Sequence, residues 1–272
     1  MRDGVKTPSY DVIGLDMKLE KLDYFWYKET DSTNLRAKEA GAKEAEIPYG
    51  MLFVADKQTA GVGRRGRSWE SPKGDNIYMS LLLKPEIEPE KAPMLTLVMA
   101  VAVAEGIKKI CKGSEPKIKW PNDIVLNKKK VCGILTEMAL DGSKIKYVVI
   151  GVGVNVNQTE FTLELEDKAT SLTIEMKEEV DRKILISSIL EEFYKYYDGF
   201  LRVGDLSYLQ GTYNQMLVNC GCEVVIHEPG NEYEAVAVGI NDQGELIVEK
   251  KDGKQQNIYA GEVSVRGIYG YV

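Results

Sequence analysis

The hydrophobic pattern of this 272-residue chain changes its period at about Leu217. Before that point, apolar segments with helical spacing alternate with short apolar runs that are typical of strands. After it, short alternating segments are separated by turns rich in Gly, Asn, Asp and Pro. The predicted strands of this second part are Cys222–His227, Tyr233–Ile240, Glu245–Lys250 and Gln255–Tyr259. The pattern predicts an α+β domain followed by a small all-β barrel.

The change of pattern also suggests where the domains begin and end. Residues 1–20 carry scattered charge, proline and glycine without a clear period, which indicates an N-terminal tail. Residues 21–216 then form the α+β domain, and residues 217–272 form the β module. A module of that size can fold alone, but only marginally.

The α+β domain is predicted to contain a mixed sheet with helices. Its predicted strands are Leu22–Tyr27, Gly50–Ala55, Ile77–Leu83, Pro116–Trp120, Ile124–Leu126, Val131–Glu137 and Lys144–Asn157. A helix is expected directly after the capping residues Asp31–Thr33. A second helix runs from Pro93 to about Lys112 and is apolar almost all round, which indicates burial on every side. A third, amphipathic helix is predicted over Arg182–Leu201.

Charge and apolar runs exclude several classes of protein. The net charge of −7 argues against general affinity for nucleic acid. Residues 1–20 lack the apolar core of a signal peptide. The longest apolar run, Ala92–Ala104, is broken by Pro93 and Thr96 and is shorter than the roughly 20 residues that span a bilayer. The sequence therefore predicts a cytoplasmic protein without a membrane segment.

The cysteines and the single histidine offer little reactive chemistry. The cysteines show no disulfide framework, and one histidine cannot complete an ordinary zinc site. We interpret them as small buried apolar side chains; they are Cys111, Cys132, Cys220 and Cys222. His227 lies in a strand-like run, and no nucleophile elbow occurs near it. A mechanism of the Ser–His–Asp or Cys–His type is therefore not favoured.

The stretch Asp56–Trp69 concentrates residue types that bind anions and heterocycles. Glycine lets backbone N–H groups approach a ligand, arginine matches phosphate and carboxylate, and Trp69 offers a flat apolar face. The residues are Gly61, Gly63, Arg64, Arg65, Gly66 and Arg67. Two interpretations stay open: a loop that wraps an anionic, base-containing ligand, and a solvated basic turn. We expect the loop to be mobile without a ligand, because glycines make closure entropically costly.

Three further motifs have both a structural and a ligand-binding interpretation. The run Asp31–Asn34 either only caps a helix or also presents donors to a ligand. Gly151 and Gly153 lie inside a strand, which often marks a close backbone approach to a ligand, although no dinucleotide fingerprint is complete. Lys130 precedes an apolar strand and Asp123 lies in a Pro-Asn-Asp turn, so each is either a solvated turn residue or a site residue.

Together these motifs resemble those of the biotin–protein ligases, also called holocarboxylase synthetases. In order they are DSTN (31–34), Gln58, AGVGRRGRSW (60–69), KWPND (119–123), Lys130 before Val131-Cys132-Gly133, GVGVNV (151–156) and ATSL (169–172). The segment from Glu245 to Gly267 is similar to the SH3-like terminal domain of that family. The resemblance covers residues from about 24 to 268. It implies a class II synthetase-like catalytic domain followed by an SH3-like barrel.

The resemblance also implies an activity. In that family biotin and ATP form biotinyl-5′-AMP and pyrophosphate, and the biotinyl group then passes to a lysine of a carrier domain. The expected ligands are therefore ATP, biotin and Mg²⁺, with the Mg²⁺ brought by the ATP phosphates and not fixed by the protein alone. The expected partner is a biotin carboxyl carrier protein or domain. Joining a carboxylate to a phosphate brings two anions together, so cations must screen the approach.

The same resemblance implies catalytic and ligand-binding roles for individual residues. Catalytic roles fall to Lys130, Arg64, Arg67 and Asp123. Biotin contacts fall to Ser32, Thr33, Asn34, Gln58, Val62, Gly63, Arg64, Lys130 and Gly133. Contacts to ATP or adenine fall to Arg65, Arg67, Trp69, Lys119, Asn122 and Asn155. One position departs from the family: Val62 replaces a frequent arginine, so a backbone role survives there while any phosphate contact is missing.

The residues of the chain disfavour two rival functions and a DNA-binding domain. A lipoate or octanoate attachment enzyme would need a histidine-containing glycine-rich motif, which a chain with His227 alone cannot supply. A non-catalytic biotin- or nucleotide-sensing module is disfavoured because Arg64 and Lys130 are both present. The residues before the first strand are too few for the helix-turn-helix domain of larger family members. We therefore expect a monofunctional ligase without specific DNA binding, with a homodimer left open.

Overall fold

The computed structural model of the protein describes residues 5–6, 22–43, 46–47, 49–228, 230–259 and 264–267. Within these ranges, no helix is both long enough and apolar enough to cross a membrane. Two sheets, five helices and two short 3-10 segments make up the regular structure of the described residues.

The larger sheet has eight strands and forms the frame of the molecule. Its strands are β1 Val5–Lys6, β2 Asp23–Tyr27, β3 Met51–Ala55, β4 Ile77–Leu83, β5 Lys117–Lys119, β6 Asp123–Leu126, β7 Lys129–Asp141 and β8 Lys144–Val154. They lie in the order β1-β2-β3-β4-β8-β7-β6-β5. Strands β2 and β3 are parallel, and the other neighbouring strands are antiparallel. The predicted mixed sheet is therefore confirmed.

Helices cover both faces of this sheet. They are α1 Thr33–Lys43, α2 Met94–Ile110, α3 Leu172–Met176, α4 Arg182–Val203 and α5 Gln210–Met216. As predicted, α2 is buried nearly all round, and it packs on α4, where Gly106 lies against Ile189. Helix α1 packs on β3, β4 and β8 around a separate small cluster that includes Ala37 and Phe53.

The C-terminal module is a second, antiparallel sheet. Its strands are β9 Glu223–Glu228, β10 Asn231–Ile240, β11 Leu246–Lys250, β12 Gln255–Ile258 and β13 Ser264–Gly267, in the order β12-β11-β10-β9-β13. The predicted all-β module is confirmed, and in the described part of the chain its sheet does not close into a complete barrel. The edge strands β12 and β13 are not paired there. Alternation of apolar residues predicts strands, while closure depends on pairing between distant edges, which the alternation does not encode.

The second sheet is anchored to the first through Trp120. Its indole Nε1–H donates to the carbonyl oxygen of Gly244 at 3.0 Å, and the side chain is buried. The backbones of Ile118 and Leu217 form an isolated parallel bridge beside it. Apolar residues of both sheets belong to one continuous hydrophobic cluster. The position of the C-terminal sheet relative to β5–β7 is thus fixed by buried contacts.

Several local predictions need correction. Val5–Lys6 pairs with β2, so this part of the expected tail belongs to the sheet. Lys130 lies inside β7 and not in the preceding turn, because the hairpin turns over Asn127 and Lys128, whose φ values are 47° and 66°. Two consecutive left-handed residues form the tight turn that matches strand twist, and asparagine tolerates that region. Helices α3 and α5 were not predicted; both are short.

The cysteine prediction is half correct. Cys111 and Cys132 are buried, and burial raises the pKa of the Cys111 thiol to about 11. Cys220 and Cys222 are exposed, because they flank the Gly221 turn that leads into the C-terminal sheet. Residues in turns usually lie at the surface, even when their side chains are apolar.

Candidate functional site

A cavity of about 60 Å³ lies where α1, the arginine loop and the glycine-containing strands β7 and β8 meet. Predicted site residues that line it are Ser32, Thr33, Asn34, Gln58, Val62, Gly63, Arg64, Trp69, Asn122, Lys130 and Gly133. These residues come from five separate sequence motifs. The fold therefore brings together most of the residues that the sequence singled out.

The inner end of the cavity is formed by the start of α1. The Gln58 amide oxygen accepts from the backbone N–H of Thr33 at 2.8 Å, and the Thr33 hydroxyl lies 3.1 Å from the same atom. Gln58 thus satisfies one of the free N–H groups at the helix N-terminus. Ser32, Thr33 and Asn34 are buried and line the cavity. These three residues therefore line the cavity in addition to beginning the helix.

The arginine loop forms a compact turn over the cavity. Val62 and Ser68 make an antiparallel bridge, and the Gly63 N–H donates to the Arg67 carbonyl oxygen at 2.7 Å. At the tip, Arg65 (φ 58°) and Gly66 (φ 70°) both have left-handed backbone. Left-handed backbone is unfavourable for a residue with a Cβ. The closed turn therefore stores strain at Arg65.

Two cations are held at the cavity by neighbouring residues at the start of β6. The Arg64 guanidinium donates to Asn122 Oδ1 at 2.7 Å, and Lys130 Nζ lies 2.6 Å from Asp123 Oδ1. Asn122 is itself fixed, because its amide donates to the Ile134 carbonyl oxygen at 3.0 Å. A β-bulge displaces β7 against β6 next to Lys130. Bulges often redirect a side chain beside a functional site.

The electrostatics around Arg64 favour an incoming anion. Burial lowers the pKa of the Arg64 guanidinium from its usual value, the nearby Arg65 and Arg67 charges act in the same direction, and Asp123 opposes them. A shift of this sign means that the surroundings disfavour the positive charge of the guanidinium. A bound carboxylate or phosphate would relieve that cost.

Glycines form the floor under Trp69. Gly133 and Gly153 face each other across β7 and β8. A Cβ at Gly153 would lie 2.6 Å from the Trp69 ring, and one at Gly133 would lie 2.9 Å from it. The Trp69 Nε1–H is buried and has no hydrogen-bond partner within the described ranges. A close approach to the backbone was predicted at Gly153, and in the structure the Trp69 side chain makes it.

Gly151 serves the same purpose for a different side chain. A Cβ on Gly151 would lie 2.1 Å from Asn34 Oδ1. The strand can therefore pass Asn34 only where no side chain is present. Sequence reasoning located the two glycines correctly but assigned their neighbours to a ligand.

Four predicted nucleotide residues do not line the small cavity. Lys119 is buried in β5, and the Asn155 amide donates to the Thr170 carbonyl oxygen at 3.0 Å. Arg65 and Arg67 are exposed on the outside of the turn. In contrast, Ser71, Ser80 and Glu137 connect to the site through hydrogen bonds and were missed. The single serine inside the largely apolar strand Ile77–Leu83 was the available signal for Ser80.

A larger cavity of about 350 Å³ adjoins the small one. It lies between the start of α2, strand β7 and the turn that joins β10 to β11. Arg64, Asn122, Ile134 and Leu135 line both cavities. The two cavities therefore meet at the residues that hold the Arg64 guanidinium.

Comparison with known proteins first defines the class. Residues 26–155 match the biotin/lipoate A/B protein ligase family, and residues 220–266 match the biotin protein ligase C-terminal domain. The fold and the cation-flanked cavity thus define a ligase of the biotin and lipoate type.

Individual relatives then narrow the class. The bifunctional ligase/repressor BirA of Bacillus subtilis is 37% identical over 254 residues, which cover 93% of this chain and 77% of that protein. The biotin–[acetyl-CoA-carboxylase] ligase of Paracoccus denitrificans is 31% identical, with 88% and 98% covered. The structure of a biotin protein ligase from Aquifex aeolicus in complex with biotin and ATP gives a TM-score of 0.77 at 29% identity, covering 90% of this chain and 98% of that one. The chain belongs to the biotin–protein ligase family and is an enzyme of that family.

The mobility of the arginine loop stays a prediction, and limited trypsin digestion tests it. We expect cleavage after Arg65 and Arg67 to be fast in the free protein, because both side chains are exposed and the turn is strained. Biotin plus ATP should slow it, since a bound anion recruits Arg64 and stabilises closure. Cleavage at Lys251 and Lys254, whose side chains are 80% and 82% exposed, is the internal control. Equal loop cleavage with and without the ligands would contradict the prediction.

Proposed function

We propose that the protein joins biotin to ATP to form biotinyl-5′-AMP and pyrophosphate, and then transfers the biotinyl group to a lysine of a biotin carboxyl carrier protein or domain. The observation that carries this proposal is the pair of cations at the cavity, Arg64 held by Asn122 and Lys130 held by Asp123. The Aquifex aeolicus relative binds biotin and ATP, which supports the same two ligands here.

The two cations are held by different kinds of group. Asn122 positions Arg64 through a neutral amide, so this contact adds no negative charge that a ligand would have to displace. The charge of Lys130 is balanced by Asp123 until a ligand competes for it. Charge-assisted contacts to a carboxylate and a phosphate would be strong here, because the site is partly buried. We infer that Arg64 and Lys130 hold the biotin carboxylate against the α-phosphate and stabilise the charge that develops in the transition state.

The inner end of the cavity suits a ureido ring. Such a ring has two N–H donors and a carbonyl acceptor, so it needs partners of both kinds. Ser32, Thr33 and Gln58 supply hydroxyl and amide groups that donate and accept. The Val62 side chain is 52% exposed, which supports a role for its backbone only. Because only the backbone would contact biotin at this position, the presence of Val62 instead of the frequent arginine leaves the biotin contacts intact.

The adenine end is less fully formed. Trp69 offers a face for stacking, and Arg65 and Arg67 would reach the phosphates only when the turn closes further. Roles for Lys119 and Asn155 rest on the family resemblance, because neither lines the cavity. Mg²⁺ would be held chiefly by the ATP phosphates. That fits the site, where Asp123 is already paired with Lys130.

The larger cavity is a suitable route for the acceptor lysine. It opens beside Arg64 and is lined by Glu90 and Glu245, whose carboxylates attract a lysine ammonium. A carrier protein would approach between the two sheets. The absence of specific DNA binding, a cytoplasmic location and the oligomeric state stay predictions.

Biotin-dependent exchange of pyrophosphate into ATP tests the first half-reaction without any acceptor. We expect exchange that requires biotin and Mg²⁺, and none when lipoate or octanoate replaces biotin. Folded protein that binds biotin but shows no exchange would contradict the proposed ligase activity. Exchange with lipoate in place of biotin would instead support the rival attachment enzyme.

A further inference from the structure

Two exposed cysteines lie in one turn at the start of the C-terminal sheet. Free cysteine is usually among the most buried residue types, and Cys111 and Cys132 follow that rule. Cys220 and Cys222 are both exposed, and only Gly221 separates them. Neither of these two cysteines lines either of the cavities described above. The proposed ligase chemistry therefore leaves both thiols unused.

The backbone of this turn brings the two cysteines close together. The Cys222 N–H donates to the Asn219 carbonyl oxygen at 2.9 Å, which closes a four-residue turn. Gly221, the third residue of that turn, has a φ of 75°. A fully extended chain would hold the Cα atoms of Cys220 and Cys222 about 7 Å apart. The turn shortens this separation towards the roughly 4.4–6.8 Å that a disulfide spans.

Strand β10 anchors the turn on both sides of the peptide between Gly221 and Cys222. The Gly221 N–H donates to the Ala237 carbonyl oxygen at 2.7 Å, and the Ala237 N–H donates to the Cys222 carbonyl oxygen at 3.0 Å. Two hydrogen bonds to one residue hold the backbone in place. The two thiols are therefore kept together by the fold, and closing a bond between them would cost little further backbone entropy.

The two thiols differ in their contacts. The Cys220 thiol donates to the Val238 carbonyl oxygen at 3.1 Å, beside the β-bulge of β10. Cys222 Sγ lies 3.8 Å from the Cys220 carbonyl oxygen, so it is directed back over the neighbouring cysteine and is held only weakly. Because Cys220 is exposed, its side chain can turn about the Cα–Cβ bond to another staggered position and leave Val238. Cys222 is thus the freer of the two nucleophiles.

We propose that Cys220 and Cys222 are a redox modification site, which a small-molecule disulfide such as oxidised glutathione converts reversibly into an intramolecular disulfide. The Cys222 thiol loses its proton, and its sulfur attacks one sulfur of the oxidant, which leaves a mixed disulfide and releases one thiol. The Cys220 sulfur then loses its proton, attacks the Cys222 sulfur and displaces the second thiol. Two protons and two electrons pass to the oxidant, which is reduced to two thiols.

The remaining cysteines are poor targets for the same oxidant. Thiolates attack disulfides, and exposure decides which thiols an oxidant can reach. Burial raises the pKa of the Cys111 and Cys132 thiols, which keeps them protonated. The reaction should therefore stay within the Cys220–Cys222 turn. This inference does not depend on the proposed ligase function.

Mass spectrometry of the reduced full chain after incubation with oxidised glutathione tests the proposal. The tryptic peptide of residues 203–250 contains Cys220 and Cys222 and neither of the buried cysteines. We expect this peptide to lose two hydrogen atoms without gaining glutathione, and dithiothreitol should reverse the loss. In mixtures of reduced and oxidised glutathione, the oxidised fraction should depend on the square of the thiol concentration, because closure releases two thiols for each disulfide consumed.

Two serine variants separate the steps of the reaction. Cys220→Ser should stop at the mixed disulfide, with one glutathione on Cys222. Cys222→Ser lacks the freer thiol and should gain glutathione on Cys220 more slowly. Equal rates in the two variants would contradict the assignment of Cys222 as the first nucleophile.

The wild-type peptide decides the main claim even if a variant does not fold. An unmodified peptide, a peptide that keeps glutathione, or chains linked to one another through these cysteines would overturn the proposed intramolecular disulfide. None of these results bears on biotin-dependent pyrophosphate exchange, which is measured separately. Failure of the ligase proposal would likewise leave the dithiol measurement unchanged.

Discussion

Replacing Lys130 by alanine should slow biotin-dependent adenylate formation by about 30- to 1,000-fold, which corresponds to a loss of roughly 2–4 kcal/mol of transition-state stabilisation. Lys130 Nζ lies 2.6 Å from Asp123 and 5.3 Å from the centre of the Trp69 ring, so it can reach both the reacting anions and the adenine platform. The variant removes the cation and leaves the Asp123 carboxylate facing the cavity. The rate should fall much more than the affinity for ATP.

The neighbouring lysine provides a matched control. Lys129→Ala makes the same change of charge one position away, where Nζ donates to the Glu166 carbonyl oxygen at the surface. It should leave the exchange rate within about twofold, as expected for a surface substitution. Lys130→Arg keeps the charge but replaces a compact ammonium by a planar guanidinium, and its rate should lie between those of the wild type and Lys130→Ala. An unchanged rate in Lys130→Ala would show that Lys130 only balances the charge of Asp123.

Much of the fold follows from local patterns in the sequence. The all-round apolar character of Met94–Ile110 predicted a buried helix, and that helix lies between the sheet and α4. Regular alternation predicted four of the five strands described in the C-terminal module, and β13 was not predicted. Sheet closure was not predictable in the same way, because it requires contacts between β12 and β13 that no local period describes.

Site residues were predictable where a residue of suitable chemistry also lies in one of the ordered motifs. Arg64 and Lys130 were identified as ligand cations, and they do line the cavity. The sequence did not predict that Asn122 would hold Arg64 and that Asp123 would hold Lys130. These contacts depend on where β6 begins and on the bulge in β7. Lys119 was expected at the nucleotide; in the structure it is buried in β5 and does not line the small cavity. Side-chain direction in so short a strand is set by its neighbours.

The missed residues share one physical cause. Ser80, Glu137 and Ser71 act through hydrogen bonds to other side chains and not through a motif of their own. Asn34 and Glu137 come together only because α1 packs on β8, the strand next to β7. A contact over that sequence distance exists only after folding. Such residues can be inferred from the structure, where burial demands a partner for every polar atom.

Introducing a methyl group at Gly153 should disrupt the adenine platform. The backbone of Gly153 is not left-handed, so alanine meets no strain there, but its Cβ would lie 2.6 Å from Trp69 Cε2 and 2.7 Å from Nε1. The ring must move by about 1 Å to reach ordinary contact distance. Overpacking of this kind typically costs about 1–3 kcal/mol. We expect Gly153→Ala to weaken ATP binding by about 5- to 150-fold.

Trp69 transmits the displacement to the rest of the site. Its backbone N–H donates to the Gly61 carbonyl oxygen at 2.9 Å, and its own carbonyl oxygen accepts from Ser71, which in turn accepts from Gln58. A shifted indole therefore pulls on the base of the arginine loop and on the side chain that caps α1. Biotin affinity should fall as well, but by less than ATP affinity, because Gln58 is two hydrogen bonds away from the clash.

Two comparisons separate this effect from a general loss of stability. Gly211→Ala adds the same methyl group in helix α5, where a Cβ would meet no atom within 4 Å, and it should leave ATP binding unchanged. Alanine is also the better helix former by about 1 kcal/mol, so this control should not unfold. Trp69→Phe, with its smaller ring, should make a subsequent Gly153→Ala change less harmful than in the wild type. Titration calorimetry with ATP measures the wild type and each variant, and additive effects of Trp69→Phe and Gly153→Ala would show that the indole is not what the added methyl displaces.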